Sequence, residues 1–263
     1  LQCQVDLSLL SQAILSDTAV QGCMCRRENI SGFGDQLWDV NHLSKHPKLD
    51  WDLVREYPDG LAGQPWNTNG TFNDHPNFDF NLVKEYPSGF GGHSWNMRSI
   101  CQSPSLDWNF VREHPQGLNG YPWNAGALSC NPNLDWDLVR ENLMGLNGQT
   151  WCVSSLSFNR SLTWDFICQH PNGIGGQPWN MEGLSSHSCL DWDYFRQHPE
   201  GFNGQPWDME GLSSNETLDF NLVLQNPQGF NGQPWCTCSL LVNDYLPFGL
   251  VEEYPAGFER GFY

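Results

Sequence analysis

One stretch recurs through almost the whole chain and leaves few folds open to it. It reads Leu190-Asp191-Trp192-Asp193-Tyr194-Phe195-Arg196-Gln197-His198-Pro199-Glu200-Gly201-Phe202-Asn203-Gly204-Gln205-Pro206-Trp207. Its first aromatic returns as Trp51, Phe80, Trp108, Trp136, Trp164, Trp192, Phe220 and Phe248, every 28 residues except for one step of 29. Its second returns on the same beat as Trp66, Trp95, Trp123, Trp151, Trp179, Trp207 and Trp235. A fixed period of this length is the mark of an array of small supersecondary units.

Each register has a physical reading. Before the first aromatic stands Asp50, Asp79, Asp107, Asp135, Thr163, Asp191 or Asp219. Asp and Thr share a short side-chain oxygen able to accept from a helix-start amide, which predicts an N-cap. Around it lie apolar pairs such as Leu134 with Val139 and Leu190 with Phe195, the spacing of a hydrophobic staple. Pro58, Pro87, Pro115, Pro171, Pro199 and Pro227 end the helix after about two turns. A turn of the form Pro171-Asn172-Gly173-Ile174-Gly175-Gly176 follows, with glycines where φ is positive. Then Gln177-Pro178-Trp179 opens a second short helix, with Pro178 expected in its first turn, and that helix ends on Leu-Ser. Such helices are unstable alone in water. The expected fold is therefore mainly α, a solenoid-like array of 28-residue helix-turn-helix repeats with capping ends. Its expected core is the series Trp51, Trp66, Trp108, Trp123, Trp136, Trp151, Trp164, Trp179, Trp192 and Trp207.

Along the chain, 1–22 reads as an N-terminal capping helix and 23–48 as a degenerate first repeat. Tandem repeats fill 49–240, and 241–263 is a half-repeat cap. No run is long and apolar enough to span a bilayer. A net charge of −18 argues against nucleic acid as a partner. Asp50 with Asp52, Asp135 with Asp137 and Asp191 with Asp193 sit at helix starts, and Arg55, Arg112, Arg140 and Arg196 near helix ends. That arrangement complements the helix dipole, so we read the acidity as structure rather than as calcium sites.

The ten cysteines have no zinc spacing, and their even number suits disulfide staples, with Cys101 and Cys130 the expected bridge. Four sequons, at Asn29, Asn69, Asn159 and Asn215, are candidate glycosylation sites. Together these features place the chain in an oxidising setting. The sequons at Asn69, Asn159 and Asn215 fall in the variable connectors between repeats. Partners are then expected on the opposite edge, where Leu61, Phe90, Leu118, Ile174, Phe202 and Phe230 recur in the turns.

The segments Leu128-Ser129-Cys130-Asn131-Pro132-Asn133-Leu134-Asp135-Trp136 and Leu222-Val223-Leu224-Gln225-Asn226-Pro227, the latter with Pro234-Trp235, carry a resemblance. They resemble the tryptophan-containing repeats of giant, nucleocytoplasmic large DNA virus proteins. The glycine insert before Gln-Pro-Trp, the sequons and the cysteines depart from that pattern. The resemblance implies a non-enzymatic, virion-associated repeat protein with no catalytic residue to carry over.

Nothing in the chain reads as catalytic, metal-binding or cofactor-binding. His114, His170 and His198 share a register with Tyr57, Tyr86, Asn142 and Asn226, which suits a helix end rather than a general base. The Gly-x-x-Gly units follow no strand. The function expected is a structural scaffold for protein–protein assembly, its partners capsid or surface-layer proteins or further copies of itself. The setting is a virion or the extracellular space. The alternative is a secreted carbohydrate-binding or adhesive glycoprotein stacking sugars on exposed Trp rings.

Overall fold

The computed structural model describes residues 32–33, 36–68, 72, 75 and 77–253. The expected capping helix over 1–22, the sequons at Asn29 and Asn69, and the stretch 254–263 lie outside the described residues. The chain divides into two compact units, Leu1–Asp107 and Trp108–Tyr263. Among the described residues both are built from short helices with almost no sheet.

In the first unit, β1 (Gly32–Phe33) pairs antiparallel with β2 (Gln36–Leu37). Helices α1 (Val40–Leu43), α2 (Trp51–Glu56), α3 (Asn81–Glu85) and α4 (Met97–Gln102) follow. The second unit runs α5 (Trp108–Glu113), α6 (Ala125–Ser129), α7 (Trp136–Glu141), α8 (Val153–Ser157), α9 (Trp164–Gln169) and α10 (Met181–Ser186). It continues with α11 (Trp192–Gln197), α12 (Met209–Ser214), α13 (Phe220–Gln225), α14 (Thr237–Leu241) and α15 (Phe248–Glu253). One helix of each repeat begins at or just after the first aromatic, and the other, in every described repeat but that of Trp66, begins two residues past the second Trp.

Local chemistry accounts for both helices. The Asp135 carboxylate accepts from the amides of Asp137 and Leu138, that of Asp191 from Asp193 and Tyr194, and the Thr163 hydroxyl from Phe166. These caps satisfy amides that a helix start leaves orphaned. The staple residues Leu134, Val139, Leu190 and Phe195 are buried. The second helix is capped by Asn124, Asn180 or Asp208. Pro178 therefore lies ahead of the N-cap and not in the first helical turn, because Asn180 supplies the capping oxygen and Met181 begins the helix.

Between the helices the turn closes as a minimal hairpin: Leu118 bridges Tyr121, Ile174 bridges Gln177 and Phe202 bridges Gln205. Asn203 and Gly204, at its tip, both have positive φ (47° and 78°), the Asn-Gly pair that a type I′ turn demands. Gly201 is required for a second reason: a Cβ there would sit 1.9 Å from the Gln205 carbonyl oxygen.

The second Trp locks this turn. In every described repeat its indole Nε1 donates to the carbonyl of the residue ending the first helix, as Trp66 to Tyr57, Trp123 to His114, Trp179 to His170 and Trp235 to Asn226 (2.7–2.8 Å). That residue contributes its main chain, which is why Tyr, His and Asn interchange there. The indoles of Trp66, Trp123, Trp151, Trp179 and Trp207 are buried, whereas Trp51, Trp108, Trp136, Trp164 and Trp192 are half-buried. The two series meet across repeats: Trp164 stacks on Trp207 at 6.5 Å and meets Phe202 edge-on at 5.6 Å. In the second unit the second helices pack successively, α6 on α8, α8 on α10, α10 on α12 and α12 on α14. Gly183 and Gly211 permit the closest of these approaches, since a Cβ on Gly211 would lie 2.9 Å from the Glu182 carbonyl oxygen.

Candidate functional site

The most elaborated polar chemistry lies between repeats, in two registers of side chains that are buried except for the half-buried His46. The first holds His46 and His75 in one unit and Asn131, Asn159, His187, Asn215 and Asn243 in the other. The Asn215 amide group donates to the carbonyls of Ser185 and His187, both at 2.9 Å, and its Oδ1 accepts from the Thr217 amide and hydroxyl. Asn159 repeats the pattern on Ser129, Asn131 and Ser161, and Asn243 bonds to Ser213 and Asn215. Histidine substitutes without changing the logic. His187 Nε2 lies 2.8 Å from the Asn159 carbonyl while Nδ1 accepts from the Cys189 amide. His75 does the same with the His46 carbonyl and the Asn77 amide. Each of these two imidazoles has both ring nitrogens engaged, so neither is free to move protons for a substrate.

The second register is serine. Ser129 Oγ donates to the Ala125 carbonyl one turn back and accepts from the Cys152 amide of the next repeat, at 2.8 and 3.0 Å. Ser157 serves Val153 and Asn180, and Ser213 serves Met209 and Cys236. In the first unit Ser44 serves Val40 and Asn67. Burying a hydroxyl or amide without partners costs on the order of 1–3 kcal/mol. Here the buried Ser and Asn side chains find one partner in main chain of the neighbouring repeat, as the Cys152 amide is for Ser129 and the Ser185 carbonyl for Asn215, so neighbouring repeats complete one another.

These ladders correct the glycosylation assignment. Asn159 and Asn215 are buried and their amide nitrogens are committed to two carbonyls each, leaving no accessible nitrogen for a glycan. Their Asn-x-Ser/Thr spacing has an internal cause. The hydroxyl two residues on donates to the Asn and accepts from the preceding repeat's first Trp, as Trp136 to Ser161 and Trp192 to Thr217, both 3.0 Å. Reading down the period would have found this column, since it is polar in every repeat.

The turn residues expected to form a docking edge are corrected as well. Leu61, Phe90, Leu118, Ile174 and Phe202 are at most 5% exposed. Phe230 is half-buried, edge-on to Phe195 at 4.9 Å and to Trp235 at 5.6 Å. The hairpin bridge turns these side chains inward onto the Trp rings, so they are core. Nor is the expected Cys101–Cys130 bridge present: Cys101 is buried and Cys130 is an exposed free thiol.

On the first helices, charges tie repeats together. Arg112 pairs with Asp135, Arg196 with Asp219 at 2.6 Å, Arg55 with Asp79 and Lys84 with Asp107 at 2.5 Å. In each pair the acid is the one that precedes the next repeat's first aromatic. Burial opposes ionisation of Asp135, but the Arg112 hydrogen bond, the Leu138 and Asp137 amides and the guanidinium charge outweigh it and hold its carboxyl below the usual range. Asp79 is lowered in the same way by Arg55 and Asn81. Other carboxylates of the first helices point to solvent, with Asp52, Asp137 and Asp193 at 92%, 73% and 83% exposure.

Among the described residues no cluster of three or more His, Cys, Asp or Glu side chains is placed to hold a metal ion. No described helix is long and apolar enough to cross a membrane. A shallow cleft in the first unit is lined by Val40, Gln64, Trp66, Thr68, His93 and Ser94, without carboxylate, amine or thiol. Comparison with protein-family models, curated proteins and solved structures finds no match to this chain.

Proposed function

We propose that the chain is a non-enzymatic repeat scaffold that assembles with other proteins, its repeats in the second unit following a solenoid-like course. One observation carries this reading: the buried Asn, His and Ser side chains between repeats are spent on holding repeat to repeat. Asn159, His187 and Asn215 have their donors and acceptors filled by main chain. What remains outside is a surface of exposed carboxylates from successive first helices, Asp52, Asp137 and Asp193 among them, each also paired with an arginine of its own helix. Such a surface suits a partner rich in Lys and Arg, and steers it over distances set by salt. The setting on a virion or outside the cell rests on the repeat resemblance alone.

The carbohydrate reading has less support. The second-register indoles are buried and cannot offer a ring face to a sugar, while the first-register rings are half-covered by the next repeat. The test is zero-length carbodiimide coupling in the native source, which joins carboxylates to a partner's lysines. Products linking Asp52, Asp137 or Asp193 to a defined partner or to a second copy support the scaffold. Absence of such products, with glycans binding and quenching Trp fluorescence instead, overturns it.

A further inference from the structure

Two cysteines depart from the repeat at the same seam. Cys168, on α9, occupies the register held by Arg55, Lys84, Arg112, Arg140 and Arg196. Cys189 occupies the register of Ser161 and Thr217, the hydroxyls that accept from Trp136 and Trp192 at the flanking seams. By that register the Trp164 indole faces Cys189. Cys168 lies one helical turn beyond Trp164, on the same face of α9. From the equivalent position on α11, Arg196 reaches Asp219, two residues past Thr217. The matching acid here is Asp191, which keeps its capping bonds to Asp193 and Tyr194 and has no cation partner among the described residues. The seam has therefore lost its ion pair and gained two thiols, one exposed and one half-buried.

Cys189 senses Cys168. Burial first, then the nearby Cys168, pushes the Cys189 thiol up to about 12. Cys168 is raised by burial and by Asp165 and Asp191. Cys152 and Cys236 precede second helices and accept from Ser155 and Ser239, both at 3.1 Å.

We propose that Cys168 and Cys189 are a dithiol pair that closes to a disulfide between consecutive repeats, replacing the ion pair that ties neighbouring seams. The oxidant class is a small-molecule disulfide such as oxidised glutathione. The exposed Cys168 gives its proton to water and attacks one glutathione sulfur, expelling a glutathione thiolate. Cys189, deprotonated in turn, attacks the Cys168 sulfur of the mixed disulfide and expels the second glutathione. Two protein S–H bonds and one glutathione S–S bond break, and one protein S–S bond and two glutathione S–H bonds form. The protein loses two electrons and the glutathione disulfide gains them. This pairing does not depend on the partner-binding reading.

The test uses the full chain, equilibrated with oxidised or reduced glutathione, alkylated, digested without reduction and analysed by mass spectrometry. A Cys168–Cys189 linked peptide is expected in the oxidised sample and both residues alkylated in the reduced one. The link should raise the apparent Tm by roughly 5–10 °C, as closing a loop of this length implies, and dithiothreitol should reverse the rise. Cys189→Ser should leave Cys168 as a stable glutathione mixed disulfide. Cys168→Ser, at an exposed site, should keep the reduced fold by circular dichroism and abolish the shift. Both cysteines alkylated after oxidation, or either one linked mainly to another cysteine such as Cys152, overturns the proposal.

Discussion

The second helices and the first helices of the repeats are joined to their neighbours by different chemistry. Between second helices the joints are buried: Asn215 and Ser213 are fully covered and their hydrogen bonds run to main chain of the adjacent repeat. Between first helices the joints are ion pairs with half-exposed partners, Arg196 at 41% and Asp219 at 33%. The sequence treats the two columns differently. The buried polar column admits Asn, His and, in the first unit, Ser103, each with an acceptor for the amide two residues on. The cationic column drifts to Cys168 and Leu224. A group that water cannot reach must find its partner within the fold; a solvated charge need not.

The largest effect should come from the indole that belongs to the buried side. Trp179→Ala removes a ring 2% exposed and orphans the His170 carbonyl, which should cost about 3–5 kcal/mol. Trp192→Ala, at a half-buried ring of the first helices, should cost clearly less. Urea unfolding under reducing conditions measures both, and equal costs would erase the distinction between the two columns.

Next comes the ladder itself. Asn215→Ala leaves the Ser185 and His187 carbonyls and the Thr217 amide without their partner. About 2–4 kcal/mol should be lost. Asn215→His should recover part of it, because His187 already performs the same bonding one repeat earlier. A rescue no better than Ala would show that the histidines are tolerated for some other reason.

Much of this fold was legible in the sequence because its signals are local. The Asp and Thr caps, the staple pairs and the stop prolines concern residues within a turn of each other, and Asp135, Leu134 and Val139 behave as their spacing implied. The sites were misread where the deciding contact is one repeat away. Asn159 and Asn215 have the local spelling of a glycosylation acceptor, but the carbonyls that consume their nitrogens lie 28 and 30 residues back. Leu118, Ile174 and Phe202 looked like a surface strip because they sit in turns. The hairpin bridge that turns them inward depends on the φ values of the two tip residues. Asn-Gly at the tip was the available signal for it.

Acid should weaken the first-helix joints. The carboxyls of Asp79 and Asp135 are held below 3.8 in the folded chain. The stability they contribute is present above their unfolded value and is lost as pH falls through the folded one. Urea midpoints measured downward from pH 5 should decline below about pH 4. Asp135→Asn should flatten that decline, its own loss at neutral pH including the cap. A profile unchanged by the substitution would remove Asp135 from the account.

The smallest effect is expected at Arg196→Leu, a change the chain has already made at Leu224 one repeat later. Arg196 reaches Asp219 at 2.6 Å and Asp193 at 2.7 Å, short distances that would suggest a large contribution. Both acids are solvated enough for water and salt to compete, and ordering a long side chain costs rotamer entropy. The net loss should therefore be about 0–1 kcal/mol at low salt, and should shrink further near 1 M salt, where charges are screened within about 3 Å. Leu224→Arg tests the same point in reverse. The position equivalent to Asp219 in the following repeat is Pro247, so the new guanidinium finds no matching acid and should add no stability. An Arg196→Leu cost above about 2 kcal/mol, insensitive to salt, would place this pair with the buried joints and show that repeats are locked equally through both helices.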